Sequence, residues 1–142
     1  MGLGLHAGYP KITSLVVFST NMVHGIKVQY SVNGNPGPVQ KHFNKKEIKK
    51  CKKDKLKLDP DEFITYFGGR TGNVIDHISI RTSKGKSIEA GGPGGNPFDF
   101  GVPQGYTVGA LKGGFGGHIH NIGIVPVPIQ YAPPPQPYPG YG

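Results

Sequence analysis

Three stretches of the chain share one pattern and differ at one chemically decisive position. They are Asn21-Met22-Val23-His24-Gly25-Ile26-Lys27-Val28, Asn73-Val74-Ile75-Asp76-His77-Ile78-Ser79-Ile80 and Gly117-His118-Ile119-His120-Asn121-Ile122-Gly123-Ile124. Each runs from a polar or glycine residue through two mostly apolar residues to a polar fourth position. An alternating strand anchored on Ile26, Ile78 or Ile122 follows. The fourth position is His24, Asp76 or His120, so only the middle copy carries an acid. An ionised carboxylate is acceptor-only and can take two donors at once, which a neutral imidazole cannot.

Other residues that could do chemistry are fewer. His118 and His120 stand two apart on a strand, so both can face one way. A zinc site would need a third ligand, with His24 and His6 the candidates, and exposed loop histidines explain the pattern more simply. Cys51 lies between Lys49-Lys50 and Lys52-Lys53, neighbours that favour a thiolate. No catalytic partner motif accompanies it. There is no Gly-x-Ser-x-Gly elbow, no P-loop and no paired catalytic carboxylates, so the sequence reads as a non-enzyme that needs no cofactor or metal.

The 142 residues suit one domain with a real core. Net charge is +8, and residues 41–57 hold nine lysines against Glu47 and Asp54, which places most of the excess in one segment. Lys45, Lys46, Lys49, Lys50, Lys52, Lys53, Lys55 and Lys57 are therefore candidate polyanion-binding residues. No aromatic residue falls between Phe43 and Phe63 for base stacking. The N-terminus lacks the basic and apolar blocks of a signal peptide, and one cysteine excludes an internal disulfide. The expected location is cytoplasmic, or outside the cell without a classical signal peptide.

The elements that must position these residues read as strands. Ile12 to Phe18 is rich in β formers, and Gly25 to Tyr30 alternates with Ile26, Val28 and Tyr30 on one face. Asn33 to Pro38 is a turn signal. Lys45 to Leu58 opens with a stretch that could make a helical turn, then alternates as a strand over Lys55–Leu58. Asp59-Pro60-Asp61-Glu62 is a tight turn. Phe63 to Phe67 is a strand that Gly68-Gly69-Arg70-Thr71-Gly72 is expected to break. Ile78–Thr82, Ser87–Glu89, Phe98–Phe100, Tyr106–Leu111 and Ile119–Val125 complete an all-β chain with short, regularly spaced strands and no amphipathic helix. A single folded domain over residues 1–128 is followed by a Pro/Tyr/Gly-rich tail over 129–142 that is expected to be disordered and polyproline-like.

From about Ile12 to Val125 the chain resembles the jacalin-related lectins. The resemblance rests on Asp59-Pro60-Asp61-Glu62-Phe63-Ile64, Gly72 through Ile80, and Thr82-Ser83-Lys84-Gly85-Lys86. It continues through Gly91-Gly92-Pro93-Gly94-Gly95-Asn96-Pro97-Phe98, then Gly105, Tyr106 and Val108 leading into Gly113 through Ile124, in that order. It implies a β-prism I fold, three four-stranded antiparallel sheets around a pseudo-threefold axis, as the internal repeat requires. It also implies a sugar site in which a Gly-x-x-x-Asp loop faces a Gly-Gly loop. Here that site would be Gly72, Asn73, Val74 and Asp76 facing Gly94 and Gly95, with His77 flanking. The carboxylate can accept from two neighbouring hydroxyls, and glycines let the backbone approach a ligand. Gly95 to Asp99 also fits Gly-x-x-x-Asp and is read as coincidence. The paired loops of the other repeats are degraded, His24 being expected to face Asn35 to Pro38 and His120 to face Gly2 to Leu5.

The resulting expectation is a non-catalytic carbohydrate-binding protein, of mannose or glucose type as the resemblance implies for an uncut chain. Its partner would be a mono- or oligosaccharide or a larger glycan. The alternative is an adaptor for polyanions through Lys45–Lys57: a sulfated glycan, an anionic membrane surface or nucleic acid. A single site per chain gives avidity only through a homo-oligomer.

Overall fold

Among the described residues, runs of β-branched residues around short polar turns make ten strands. The computed structural model describes residues 10–32, 35–115 and 119–129. The strands are β1 (Pro10–Ser19), β2 (Val23–Val32), β3 (Asn35–His42), β4 (Lys52–Lys57), β5 (Ile64–Thr71), β6 (Ile75–Thr82), β7 (Ser87–Gly91), β8 (Asn96–Asp99), β9 (Tyr106–Phe115) and β10 (Ile119–Pro128). A short 3-10 helix, Glu47–Lys50, lies between β3 and β4. Among the described residues there is no α-helix, and no helix is long and apolar enough to cross a membrane.

The repeat in the sequence is a repeat in the topology. One sheet has the order β3-β2-β1-β4 and a second has β7-β6-β5-β8, the same arrangement one repeat later. The hairpin β9-β10 is the third sheet among the described residues. All pairings are antiparallel. β2, β6 and β10 begin at Val23, Ile75 and Ile119, the same place in each copy of the pattern.

The inner faces of the sheets share one apolar core. Leu15, Val17, Ile26, Val28 and Leu56 come from the first sheet, Ile64, Phe67, Ile75, Ile78 and Ile80 from the second, and Val108 and Leu111 from the third. Burial of this kind is the main favourable term in folding, about 25 cal/mol per Å² of apolar surface. Two polar pegs cross between sheets. The buried Tyr30 hydroxyl donates to Gln40 Oε1 (2.9 Å) and accepts from the Leu111 N–H (3.2 Å). Thr107 Oγ1 accepts from the Ile64 N–H (3.2 Å) and donates to the Ile64 carbonyl (3.1 Å).

The turn before β5 is held by a buried acid. The Glu62 N–H closes on the Asp59 carbonyl at 3.0 Å, and the Asp59 N–H donates to Glu62 Oε1 at 2.8 Å. Thr82 Oγ1 donates to Glu62 Oε2, and Lys86 Nζ lies 3.0 Å from Oε1. Burial pushes the Glu62 carboxyl up, but the hydrogen bonds from Thr82, the Asp59 backbone and Lys86 outweigh it and hold the group at about 2.

Two sequence expectations are corrected. Gly68-Gly69-Arg70-Thr71 does not break a strand but continues β5 between β6 and β8. These glycines serve close approach: a Cβ on Gly69 would collide with the His77 carbonyl, and one on Gly68 would come 2.7 Å from the Phe98 carbonyl. β3 begins at Asn35, inside the expected turn. As an edge strand it tolerates Pro36 and Pro38, whose missing N–H groups interrupt little. The Asp59–Glu62 turn, the Ser83–Lys86 turn and the core face of Ile26, Val28 and Tyr30 are as expected. The tail beyond Ile129 lies outside the described residues.

Candidate functional site

Each hairpin carries one extra residue beside its turn. Phe18 pairs with Gly25 and Ser19 with Val23, leaving His24 unmatched. Arg70 pairs with His77 and Thr71 with Ile75, leaving Asp76. Gly114 pairs with Asn121 and Phe115 with Ile119, leaving His120. The variable fourth position of the repeat is thus a β-bulge in all three hairpins, a device that bends a strand and re-aims a side chain. The turns match as well. The Gly72 N–H closes on the Val74 carbonyl at 2.9 Å, as the Thr20 N–H does on Met22 at 2.9 Å. Thr71 Oγ1 also donates to the Val74 carbonyl, at 3.2 Å.

The bulge brings Asp76 to the linker between β7 and β8. The Gly92 N–H donates to the Asp76 carbonyl at 2.8 Å, fixing one end of that linker. Its other end passes over the carboxylate. A Cβ on Gly94 would stand 3.0 Å from Asp76 Oδ1. One on Gly95 would collide with Asp76 Oδ2 and come within 2.7 Å of the Thr71 carbonyl carbon, and Gly95 adopts φ +77°, which favours glycine. Gly72 is less constrained, since its Cβ would meet Asp76 Oδ2 at an ordinary 3.5 Å. The loops at Gly72 and at Gly94–Gly95 therefore flank one half-buried carboxylate, and Gly72, Asn73, Gly94 and Gly95 are exposed around it. Among the described residues neither Asp76 carboxylate oxygen accepts a hydrogen bond.

Arg70 is the residue that sequence reasoning missed. Its Nε donates to the Gly94 carbonyl (3.0 Å) and its Nη2 to the Gly95 carbonyl (2.8 Å). A planar guanidinium spanning two consecutive carbonyls pins the glycine loop over Asp76. The available signal was its place just before the Gly72 turn, within a run read as a breaker. His77, expected to flank the site, is engaged with Glu89, Nε2 to Oε1 at 3.0 Å. The second Gly-x-x-x-Asp is separate: Asp99 Oδ1 accepts from the Gly101 N–H at 2.6 Å and closes a local turn.

The first repeat is built differently from the expectation. His24 does not face Asn35 to Pro38, which belong to β3. The linker packed against its hairpin is 43–51, with Glu47 Oε1 4.0 Å from His24 Nδ1. His24 Nε2 is 2.7 Å from Thr20 Oγ1, while its buried Nδ1 has no hydrogen-bond partner among the described residues. Cys51 is also corrected. Its thiol donates to the Glu47 carbonyl (3.3 Å), and burial, then Glu47, push its pKa up despite the flanking lysines. Lys45, Lys46, Lys49, Lys50, Lys52, Lys53, Lys55 and Lys57 are all exposed. Lys52 pairs with Asp54 at 3.7 Å. No cluster of three or more His, Cys, Asp or Glu side chains fit for a metal occurs among the described residues. His6, His118 and the Gly2 to Leu5 segment lie outside them.

Known proteins share this fold. No curated protein sequence matches the chain. Among solved structures, artocarpin in complex with mannopentose is 25% identical with a TM-score of 0.75, covering 86% of this chain and 87% of that one. A mannose-binding lectin from Champedak is 23% identical (TM-score 0.75; 82% and 83% covered). A galactose-specific lectin from Artocarpus hirsuta, in complex with methyl-α-D-galactose, is 24% identical (TM-score 0.73; 82% and 91% covered). The family model for the jacalin-like lectin domain matches residues 4–125, most of the chain, so the chain belongs to the jacalin-like lectin domain family.

Proposed function

We propose that the protein binds carbohydrate without catalysis, holding a hexose of mannose or glucose type between the Gly72–Val74 turn and the Gly94–Gly95 loop, on Asp76. The observation that carries this reading is the Asp76 carboxylate: half-buried, flanked by glycine loops and without a hydrogen bond among the described residues. A carboxylate in such a place is an acceptor left for outside donors, and two adjacent sugar hydroxyls supply them. Gly72, Asn73, Gly94 and Gly95 are exposed beside the carboxylate, so a ligand can come close to the backbone there. The mannose or glucose preference draws on artocarpin, whose structure holds mannopentose. The fold that goes with this reading is a β-prism of three four-stranded sheets, supported by the shared strand order of two sheets and the shared bulge of three hairpins.

The test is calorimetric titration with a mannose oligosaccharide and with methyl-α-D-galactose, on wild type and Asp76→Asn. Asn keeps the shape but loses the charge and one acceptor. The expected result is mannoside binding in the wild type and a loss of about 10-fold or more in Asp76→Asn, the effect of a hydrogen bond to a charged group. Unchanged affinity in the variant would refute the role of Asp76, and tighter binding of the galactoside would refute the preference.

A further inference from the structure

The linkers packed against the first two bulged hairpins have diverged. Between β7 and β8 the linker is residues 92–95, glycine-rich and uncharged. Between β3 and β4 it is residues 43–51, carrying Lys45, Lys46, Lys49 and Lys50 against a single acid, Glu47. All four lysines are exposed and make no ion pair among the described residues, while Glu47 stands beside His24.

The two linkers also share a contact element. Gly92 packs on the β1–β2 turn, where a Cβ would collide with the Asn21 carbonyl oxygen and stand 3.0 Å from its carbon. Gly25 of the same hairpin packs on the basic linker, where a Cβ would collide with Phe43 and stand 3.3 Å from Ile48 Cγ2. Both linkers thus pack against the same β1–β2 hairpin.

We propose that this basic linker is a second subsite of the same binding surface and that the ligand is an acidic glycan. Its hexose occupies the Asp76 cleft, and a sulfate or carboxylate on a neighbouring sugar lies over Lys45, Lys46, Lys49 and Lys50. The proposal rests on the hexose reading of Asp76. Lysine ammonium groups are compact, mobile charges suited to anionic substituents whose position varies along a chain. The linker offers little to other polyanions. Phe43 is packed edge-on to Phe18 with ring centroids 5.2 Å apart, so it is no platform for a nucleic-acid base. Ile48 is half-buried, and no exposed apolar side chain stands among the lysines to enter a lipid surface.

The experiment compares a mannose-terminated oligosaccharide with its 6-O-sulfated and its uronate-bearing forms, at low and high salt. The proteins are wild type, Asp76→Asn, and the quadruple variant K45Q/K46Q/K49Q/K50Q. Wild type is expected to bind at least one acidic form about 3- to 10-fold more tightly than the neutral form at low salt, as two or three exposed charge contacts would give. The advantage should shrink at high salt. The quadruple variant should lose the advantage and keep its affinity for the neutral sugar; which acidic form gains identifies the anion. Equal binding of all three forms by wild type overturns the proposal, as does an advantage that survives in the quadruple variant. Lysine-dependent binding to phosphatidylserine vesicles, with no preference among the sugars, would assign the linker to membranes and overturn it too. Neutral-sugar binding that survives Asp76→Asn overturns the hexose cleft and the proposal with it. Neutral binding lost in Asp76→Asn without any acidic advantage in wild type overturns the proposal alone.

Discussion

Substituting Gly94 with alanine separates the site from the fold. Gly94 has no positive-φ requirement, and the linker is exposed, so the backbone accepts the new residue. The added Cβ would lie 3.0 Å from Asp76 Oδ1 and 3.4 Å from Cγ. That is tight enough to push the carboxylate by a few tenths of an ångström. It also places a methyl group where a hydroxyl donor would sit, since such a donor needs a heavy-atom distance of about 2.5–3.0 Å. One charge-assisted hydrogen bond is lost, worth about 1.5–3 kcal/mol, which corresponds to an affinity loss of about 10- to 100-fold. Stability should change by no more than about 0.5 kcal/mol, as for other surface substitutions. Titration calorimetry with a mannose oligosaccharide reads the first quantity and thermal or urea unfolding the second. Gly94→Ala binding within twofold of wild type would mean that Asp76 Oδ1 does not face the ligand, and the reasoning would fail.

Two further outcomes are expected. Arg70→Lys should weaken glycan binding while leaving the fold intact, because an ammonium cannot hold the Gly94 and Gly95 carbonyls in one plane; calorimetry beside a thermal melt checks it, and wild-type affinity would show that the loop needs no clamp. Glu62 is held at about 2, below an unfolded carboxyl near 4.3, so its contribution to stability is fully present above the unfolded value. It is lost as pH falls from there through about 2, and Glu62→Gln should flatten the stability profile in that window in urea titrations at stepped pH.

Much of this arrangement is legible in the chain because the repeat is written at the positions that matter. Ile26 and Ile78 recur at the same point and are buried, and the fourth position of the pattern falls on the bulge. Strand alternation over Ile26, Val28 and Tyr30 gives the core face directly, since side chains in a strand alternate sides. Gly68 and Gly69 were misleading because glycine marks both chain breaks and close approaches, and only the neighbours Phe98 and His77 decide between them. The partner of His24 was unreadable for a related reason: linker length sets what packs on a hairpin, and the extent of β3 is hidden by Pro36 and Pro38. Arg70 was invisible because its ligands are backbone carbonyls, which leave no mark in side-chain identity.

Among the described residues the four-stranded sheets end at β3 and β4 and at β7 and β8, and these borders have a consequence for how copies of the protein meet. An unpaired strand invites ladder formation with another copy and, with it, fibrous aggregation. Here β3 carries Pro36 and Pro38, β8 carries Pro97, and β4 carries Lys52, Lys53, Lys55 and Lys57. The prolines cannot donate to an incoming strand and the lysines repel their own images, so these three borders resist zipping into a larger sheet. Crowded solutions of the protein should therefore remain dispersed at modest salt, and the mutual repulsion along β4 should fade as added salt screens the lysines.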